Sequence, residues 1–464
     1  MKHKKILLLP LGALILGLFV FIISCESETY YIHQQNQLSG APYDPKLPVE
    51  VTGFTPEAGK IREKVVISGA NFGNDASKVK VFFDDGISDR EANVINVNGS
   101  SIYCLAPRQN DGRSQIKVSV SGGAPVPASG YFRYTAAASV SWVAGVGTRD
   151  GIGAKYADGA LSEAHFWKPQ GIVALGGDMI MTFGFYETNS IKVRLISVPD
   201  DQVITVHDGA YLGKPAINEA KTKVYATTLN PPHVVYEYKK ETGWSPYSIG
   251  VITIPKYSAC CDRIRSLVMM DEAHDPNQEW LYFCHKDKTF GRFNINTEET
   301  QILADETLDV PVKSWGGYLV YDHVKDCFYV SLYESYSIYK ISKTGADWGE
   351  GVQAELYAGS PSSSAVTDGD LADARFKQPM GMCMDEDGNL YVCDCDGADV
   401  IRKISFVDGY VSTVAGTLGK ESPQVNGEPA EAVFLDPYDI SYDGDGNFFI
   451  TEWWEATIRR YTVE

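Results

Sequence analysis

The side chains with most chemical potential in this 464-residue chain are aromatic rings set beside carboxylates in short polar segments. Asp394-Cys395-Asp396, Glu452-Trp453-Trp454-Glu455, Tyr333-Glu334-Ser335-Tyr336, Phe185-Tyr186-Glu187 and His285-Lys286-Asp287 each follow an apolar, aromatic-rich stretch. Turn chemistry favours Asn, Asp and Gly at such tips, so a ring there overrides a local preference, as binding sites often do. A ring can stack on a sugar face while a carboxylate beside it accepts hydrogen bonds from the hydroxyls, and the same pairing docks peptides. The structural alternative is that rings such as Trp453 and Tyr186 plug the ends of the elements that carry them. The candidate ligand-binding residues are Tyr186, His285, Tyr333, Tyr336, Asp394, Glu452, Trp453 and Trp454.

Other chemistry finds less support. Zinc needs about three converging imidazoles or thiolates, yet only His233 and His285 fall at comparable tips, and no Cys-x-x-Cys pair occurs. No Gly-x-Ser-x-Gly elbow is present for a serine nucleophile. Asp385-Glu386-Asp387-Gly388-Asn389 has its Gly two places too early for a calcium loop and reads as a hairpin turn. No catalytic residue, metal or cofactor is assigned. Cys284, Cys327, Cys383 and Cys393 sit in apolar strand runs as small hydrophobes, while Cys395 is open to pairing with another loop cysteine.

The elements that position these tips repeat along the chain. Residues 374–405 run Ala-Arg-Phe-Lys-Gln-Pro, then Asp-Gly-Asn and Leu-Tyr-Val-Cys-Asp, then Ile-Arg-Lys-Ile. Residues 432–461 repeat the pattern, with Ala432-Val433-Phe434-Leu435-Asp436-Pro437, Asp445-Gly446-Asn447 and Ile458-Arg459-Arg460-Tyr461. A partial copy lies at Ala164-His165-Phe166-Trp167-Lys168-Pro169. An Asp-Gly or Asn-Gly pair precedes the Ala at the same interval in all three. Apolar strands separated by Asp-Gly or Gly-Asn turns predict antiparallel hairpins, and repetition means that no unit buries its own core alone.

This pattern resembles the NHL repeat of β-propellers. At ~40–50 residues per blade, weaker starts at Lys214-Pro215, Arg263-Ile264 and Lys313-Ser314-Trp315-Gly316 complete six blades over residues 139–464. Ser139-Val140-Ser141-Trp142-Val143-Ala144-Gly145 matches the outer strand Tyr410-Val411-Ser412-Thr413-Val414-Ala415-Gly416, so the first strand of this region is expected to complete the last blade. In such a fold the loops after each second strand share one face, which brings the aromatic tips together. Relatives of this kind include a zinc amidating lyase and calcium lactonases. A metal-dependent hydrolase or lyase in the central pocket is therefore the alternative to a binding protein.

The N-terminal part reads differently. Residues 1–24, with Lys2, Lys4 and Lys5 before an apolar run, form a signal peptide, and Ile22-Ile23-Ser24-Cys25 resembles a bacterial lipobox with Cys25 as lipidation site. Residues 25–46 read as a lipidated tether. Residues 47–135 carry short alternating strands and the run Val65-Val66-Ile67-Ser68-Gly69-Ala70-Asn71-Phe72-Gly73, which resembles an IPT/TIG immunoglobulin-like sandwich. A net charge of −19 argues against nucleic acid.

Lipid anchor, tether, sandwich and propeller in this order resemble the outer-membrane lipoproteins with which gut anaerobes import glycans. The resemblance implies an all-β protein at the outer membrane, on the cell surface, held to the membrane by its lipid alone. It would bind a glycan, with peptide as second choice, as an accessory to an outer-membrane transporter.

Overall fold

A computed structural model describes residues 40–109, 112–147, 156–184, 192–209, 211–254, 263–271, 279–285, 289–305, 308–310, 317–420 and 423–464. Cys25, the signal sequence, most of the tether, Tyr186 and the start at 313–316 lie outside the described residues. The described secondary structure is β-strand apart from four single-turn 3-10 helices, and it falls into two compact units divided at residues 137/138.

The first unit holds two sheets. One orders Glu50–Thr55, Lys64–Ala70, Ser101–Leu105 and Asn93–Val97; the other orders Ala58–Gly59, Phe132–Tyr134, Gly112–Val120, Val79–Asp84 and Asp89–Glu91. Alternation sends Val65, Ile67, Val81, Phe83, Ile116 and Val118 inward, and Phe83 meets Phe132 edge-on at 5.3 Å. The Ser-Gly-Ala-Asn-Phe-Gly run earns its composition locally. A Cβ on Gly69 would strike the Glu50 carbonyl and the Phe72 ring. Asn71, at φ 61°, exchanges hydrogen bonds with Asp44 and donates to the Leu47 carbonyl.

The described residues of 138–463 form six separate antiparallel sheets. In chain order their first strands are Pro169–Gly176, Ala216–Ile217, Ile264–Asp271, Tyr318–Asp322, Pro379–Met384 and Pro437–Tyr442. Each sheet runs outward through consecutive strands, with two exceptions: the fifth adds the short strand Gly369–Asp370 outside Tyr410–Ala415, and the sixth takes Ala138–Ala144 as its fourth strand, paired antiparallel with Thr457–Val463. The arrangement is propeller-like. From the second sheet to the sixth, first strands of neighbouring sheets pack on each other, the sixth sheet's first strand packs on that of the first sheet, and Gly171 of the first sheet lies against Gly213–Pro215, just before the second.

Hydrogen bonds stitch these neighbours together. Ser266 Oγ donates to Gly317 O and accepts from Leu319 N, and Ser331 Oγ donates to Met380 O at 2.6 Å. Between sheets lie aromatic seams, such as Tyr282, Phe290, Phe328 and Trp348, with Phe328 and Trp348 centroids 4.8 Å apart. The Asp-x-Asp-Gly-Asn segments are hairpin turns: Asp385 accepts from Asp387 N and Asn389 N, and Asp443 from Asp445 N and Asn447 N. Cys284, Cys327, Cys383, Cys393 and Cys395 are thiols without disulfides, and Cys395 is buried with its Sγ toward Gln378 O.

Candidate ligand-binding site

Two of the expected ligand carboxylates serve a different purpose. Asp394 and Glu452 end the second strands of the fifth and sixth sheets at 0% exposure. Asp394 accepts from Lys377 N, Gln378 N and Arg402, whose Nη1 is 3.3 Å away. Glu452 accepts from Leu435 N, Thr457 Oγ1, Gln424 and, at 3.4 Å, Arg459. Their oxygens are occupied and inaccessible, which corrects the expectation that they receive hydroxyls of a ligand.

The repeat explains this use. The Arg of each Ile-Arg or Val-Arg third strand is buried and turns back to the Ala-x-Phe-x-x-Pro segment. Arg402 donates to Arg375 O, Thr367 O and Asp368; Arg459 to Val433 O, Val425 O and Asn426; Arg194 to His165 O and Ala157 O, with Asp158 at 2.9 Å. Each guanidinium also lies 5.1–5.2 Å from the Phe of its segment, Phe376, Phe434 or Phe166. A buried cation needs this many acceptors to offset its desolvation, so the recurring acids of the pattern are counter-charges for an arginine. Burial nonetheless pushes the Asp394 carboxyl up, to about 6, against the Gln378 amide and Arg402.

His285 is also buried, at 1% exposure, its ring 5.9 Å from that of His233, which corrects its placement at an accessible tip. Among the described residues no group of three or more His, Cys, Asp or Glu side chains converges as a metal would require. Tyr336 is half-buried at φ 51°, and no ring contact joins it to the other aromatic tips among the described residues.

Tyr333, Trp453 and Trp454 do come together, around residues that sequence reasoning passed over. Strand registers set Pro169 opposite Gly184, Ile264 opposite His285, Pro379 opposite Asp394 and Pro437 opposite Glu452. The residues that follow, Gln170, Arg265, Met380 and Tyr438, therefore occupy one level around the axis. One level further lie Gly171, Ser266, Gly381 and Asp439, with Lys214 bridged in parallel to Ser266. At this lower level Lys214 Nζ donates to Asp439 Oδ1 and Met382 O, both at 2.6 Å, and Asp439 Oδ2 accepts from Ile172 N. Gly381 makes room, since a Cβ there would stand 2.1 Å from the Asp439 carboxylate.

At the upper level Gln170 Nε2 donates to the Tyr438 hydroxyl at 2.7 Å, and Arg265 Nη1 donates to the same oxygen at 3.3 Å. The Arg265 guanidinium lies 5.3 Å from the Tyr333 ring, and Tyr318 meets Tyr438 edge-on. Tyr438 stacks on Trp453 with an interplanar angle of 19°, and Trp453 meets Trp454 edge-on at 4.7 Å. Lys168 Nζ sits 4.1 Å from the Trp453 centroid and 5.5 Å from that of Trp454. Trp453 is aimed by its backbone N–H, which donates to Asp436 O. Burial raises the Tyr318 and Tyr333 hydroxyls above the usual phenol range, so both stay protonated at neutral pH.

The array passes from the buried axis to the surface: Arg265 is 6% exposed, Tyr333, Tyr438 and Trp453 are half-buried, and Trp454 is 48% exposed. Its signal in the sequence is the residue after the Pro of each Ala-x-Phe-x-x-Pro segment, Gln170 or Tyr438, where the pattern tolerates any type.

The fold and this array define an all-β protein with an IPT/TIG domain, the family that matches residues 48–134, followed by a propeller-like domain with an aromatic and cationic axial face. The chain belongs to the family of a structural genomics protein of unknown function from Bacteroides thetaiotaomicron VPI-5482. The two are 40% identical over 91% of this chain and 100% of that one, with a TM-score of 0.81. Two auxiliary nutrient binding proteins share the fold. One from Bacteroides thetaiotaomicron VPI-5482 is 22% identical over 91% of this chain and 99% of its own, with a TM-score of 0.56. One from Bacteroides ovatus ATCC 8483 is 20% identical over 91% of this chain and all of its own, also at 0.56. No curated protein matches the chain.

Proposed function

We propose that the protein is a surface lipoprotein whose second unit, a six-bladed NHL-type propeller completed by its first strand, binds an extracellular glycan as an accessory to nutrient uptake. The observation that carries this reading is the continuous array of Tyr333, Tyr438, Trp453 and Trp454 rising from the axis to the surface, with Gln170 and Arg265 as donors beneath. Flat rings take the apolar face of a sugar, and buried donors fix its hydroxyls. The fold it shares with proteins described as auxiliary nutrient binding proteins supports the role. Cys25 would carry the lipid, residues 25–46 the tether, and a neighbouring outer-membrane transporter would receive the ligand.

The test is a glycan-array and affinity-gel screen of the full-length protein in detergent, followed by Trp453→Ala. Truncating a ring at a binding hot spot costs on the order of 1–2 kcal/mol, so affinity falls about tenfold with the melting temperature nearly unchanged. Full affinity in the folded variant removes the array from the binding site. Cys25→Ala is expected to abolish acyl labelling and release the protein from the membrane fraction; a variant that keeps both refutes the anchor.

A further inference from the structure

The place of the array on the axis narrows the kind of saccharide it can hold. Building on the saccharide reading above, we infer that the site takes the end of a glycan chain, or a short oligosaccharide, and not an internal stretch of a polymer.

One level beneath Gln170, Arg265 and Tyr438 the axis is packed shut. Asp439, Ser266, Ile172 and Met382 are all buried there. Three glycines mark how closely the backbones approach. A Cβ on Gly381 would overlap the Asp439 carboxylate, and one on Gly213 would overlap the Arg265 carbonyl. A Cβ on Gly171 would press on Pro215 and on Gly213 O, at 3.1 and 3.2 Å. Where a single carbon finds no room a sugar ring does not pass, because a core at this density does not open without strain. The polar groups of this level are also engaged with one another, Lys214 with Asp439 and Met382 O, Ser266 with Gly317 O and Leu319 N.

The array therefore has one closed and one open end. Gln170 and Arg265 are buried at the closed end, and exposure increases through Trp453 to Trp454. A sugar that reaches the inner donors enters past the tryptophans, and the rest of its chain has the same way out. A terminal sugar meets that condition, with the units behind it lying back along Trp453 and Trp454. An internal sugar carries chain on both sides, and its second arm would need the route that the axis closes.

The experiment counts protein molecules per chain. Full-length protein in detergent is titrated with linear inulin, β-mannan, β-galactan and xylan, each as a short oligosaccharide and as a long polymer. Light scattering gives the stoichiometry and calorimetry the affinity. One protein per chain is expected at every length, with the Kd per chain unchanged within about threefold. Gln170→Ala removes a donor at the closed end and should weaken short and long chains alike, by about fivefold. Unaltered affinity in that folded variant moves the chain end away from Gln170 and overturns the assignment. The count on wild-type protein decides the question even if the variant fails to fold. Several proteins on one long chain, or a per-chain affinity that climbs with length, overturns end recognition and leaves the saccharide reading standing. Binding to none of these, nor to any glycan of the array screen, overturns both.

Discussion

Lys214 and Asp439 face each other across the axis of the second unit, with Nζ 2.6 Å from Oδ1 and exposures of 9% and 0%. The lysine lies in the segment that leads into the second sheet, and the aspartate belongs to the sixth. The same ammonium donates to Met382 O of the fifth sheet, and the same carboxylate accepts from Ile172 N of the first. One ion pair thus ties three sheets and the segment that enters a fourth.

Removing either partner leaves the other charge buried. Lys214→Met and Asp439→Leu are each expected to lower stability by about 3–5 kcal/mol, and the double variant by less than the sum of the two. Denaturant unfolding of the four proteins measures the cycle; additive losses would show that the pair does not act as a unit.

The Arg402 module makes the opposite functional prediction to the aromatic array. Arg402→Met strands the buried Asp394 and releases the Thr367 and Arg375 carbonyls. A loss of about 3–5 kcal/mol is expected, with ligand affinity unchanged at a temperature where the variant is folded. Affinity lost without stability would return Asp394 to the binding site.

Asp436 gives a pH dependence. Burial pushes its carboxyl up to about 7, and the negative charges of Asp399 and Asp396 push the same way, while the Asp396 amide and Cys395 pull it down. A folded-state pKa above the unfolded value of about 3.9 means that the folded chain holds the proton more tightly. This group's stabilisation is complete below about pH 4 and is lost as pH rises through about 7. Asp436→Asn should flatten the fall between those limits, measured as melting temperature against pH in wild type and variant. An identical slope in the variant assigns the titration elsewhere.

Deleting Ala138–Ala144 uncovers the edge of Thr457–Val463 and the apolar side chains that Val140, Val143 and Ala144 pack with, among them Ile458 and Tyr461. An unpaired edge invites aggregation, so the truncated chain should melt at lower temperature and self-associate. An unchanged melting curve by calorimetry, with a monomer by light scattering, would show that the strand is dispensable.

What the sequence determined by itself is the local grammar. Hairpins at Asp385–Asn389 and Asp443–Asn447, alternating strands and the outer strand at residues 138–144 were legible because turn chemistry and side-chain alternation act over a few neighbours. The match between residues 139–145 and 410–416 even pointed to a partner more than 300 residues away. The direction of the acidic tips was not legible. Asp394 and Glu452 look like surface carboxylates until Arg402 and Arg459, one strand later, turn inward beneath them. Only the tertiary structure decided the site, because its members sit at equivalent levels of different sheets. Gln170, Arg265 and Tyr438 are far apart in the chain, and no spacing rule links them. They meet because each first strand delivers its second residue to the same axis, a position the repeat leaves free in type.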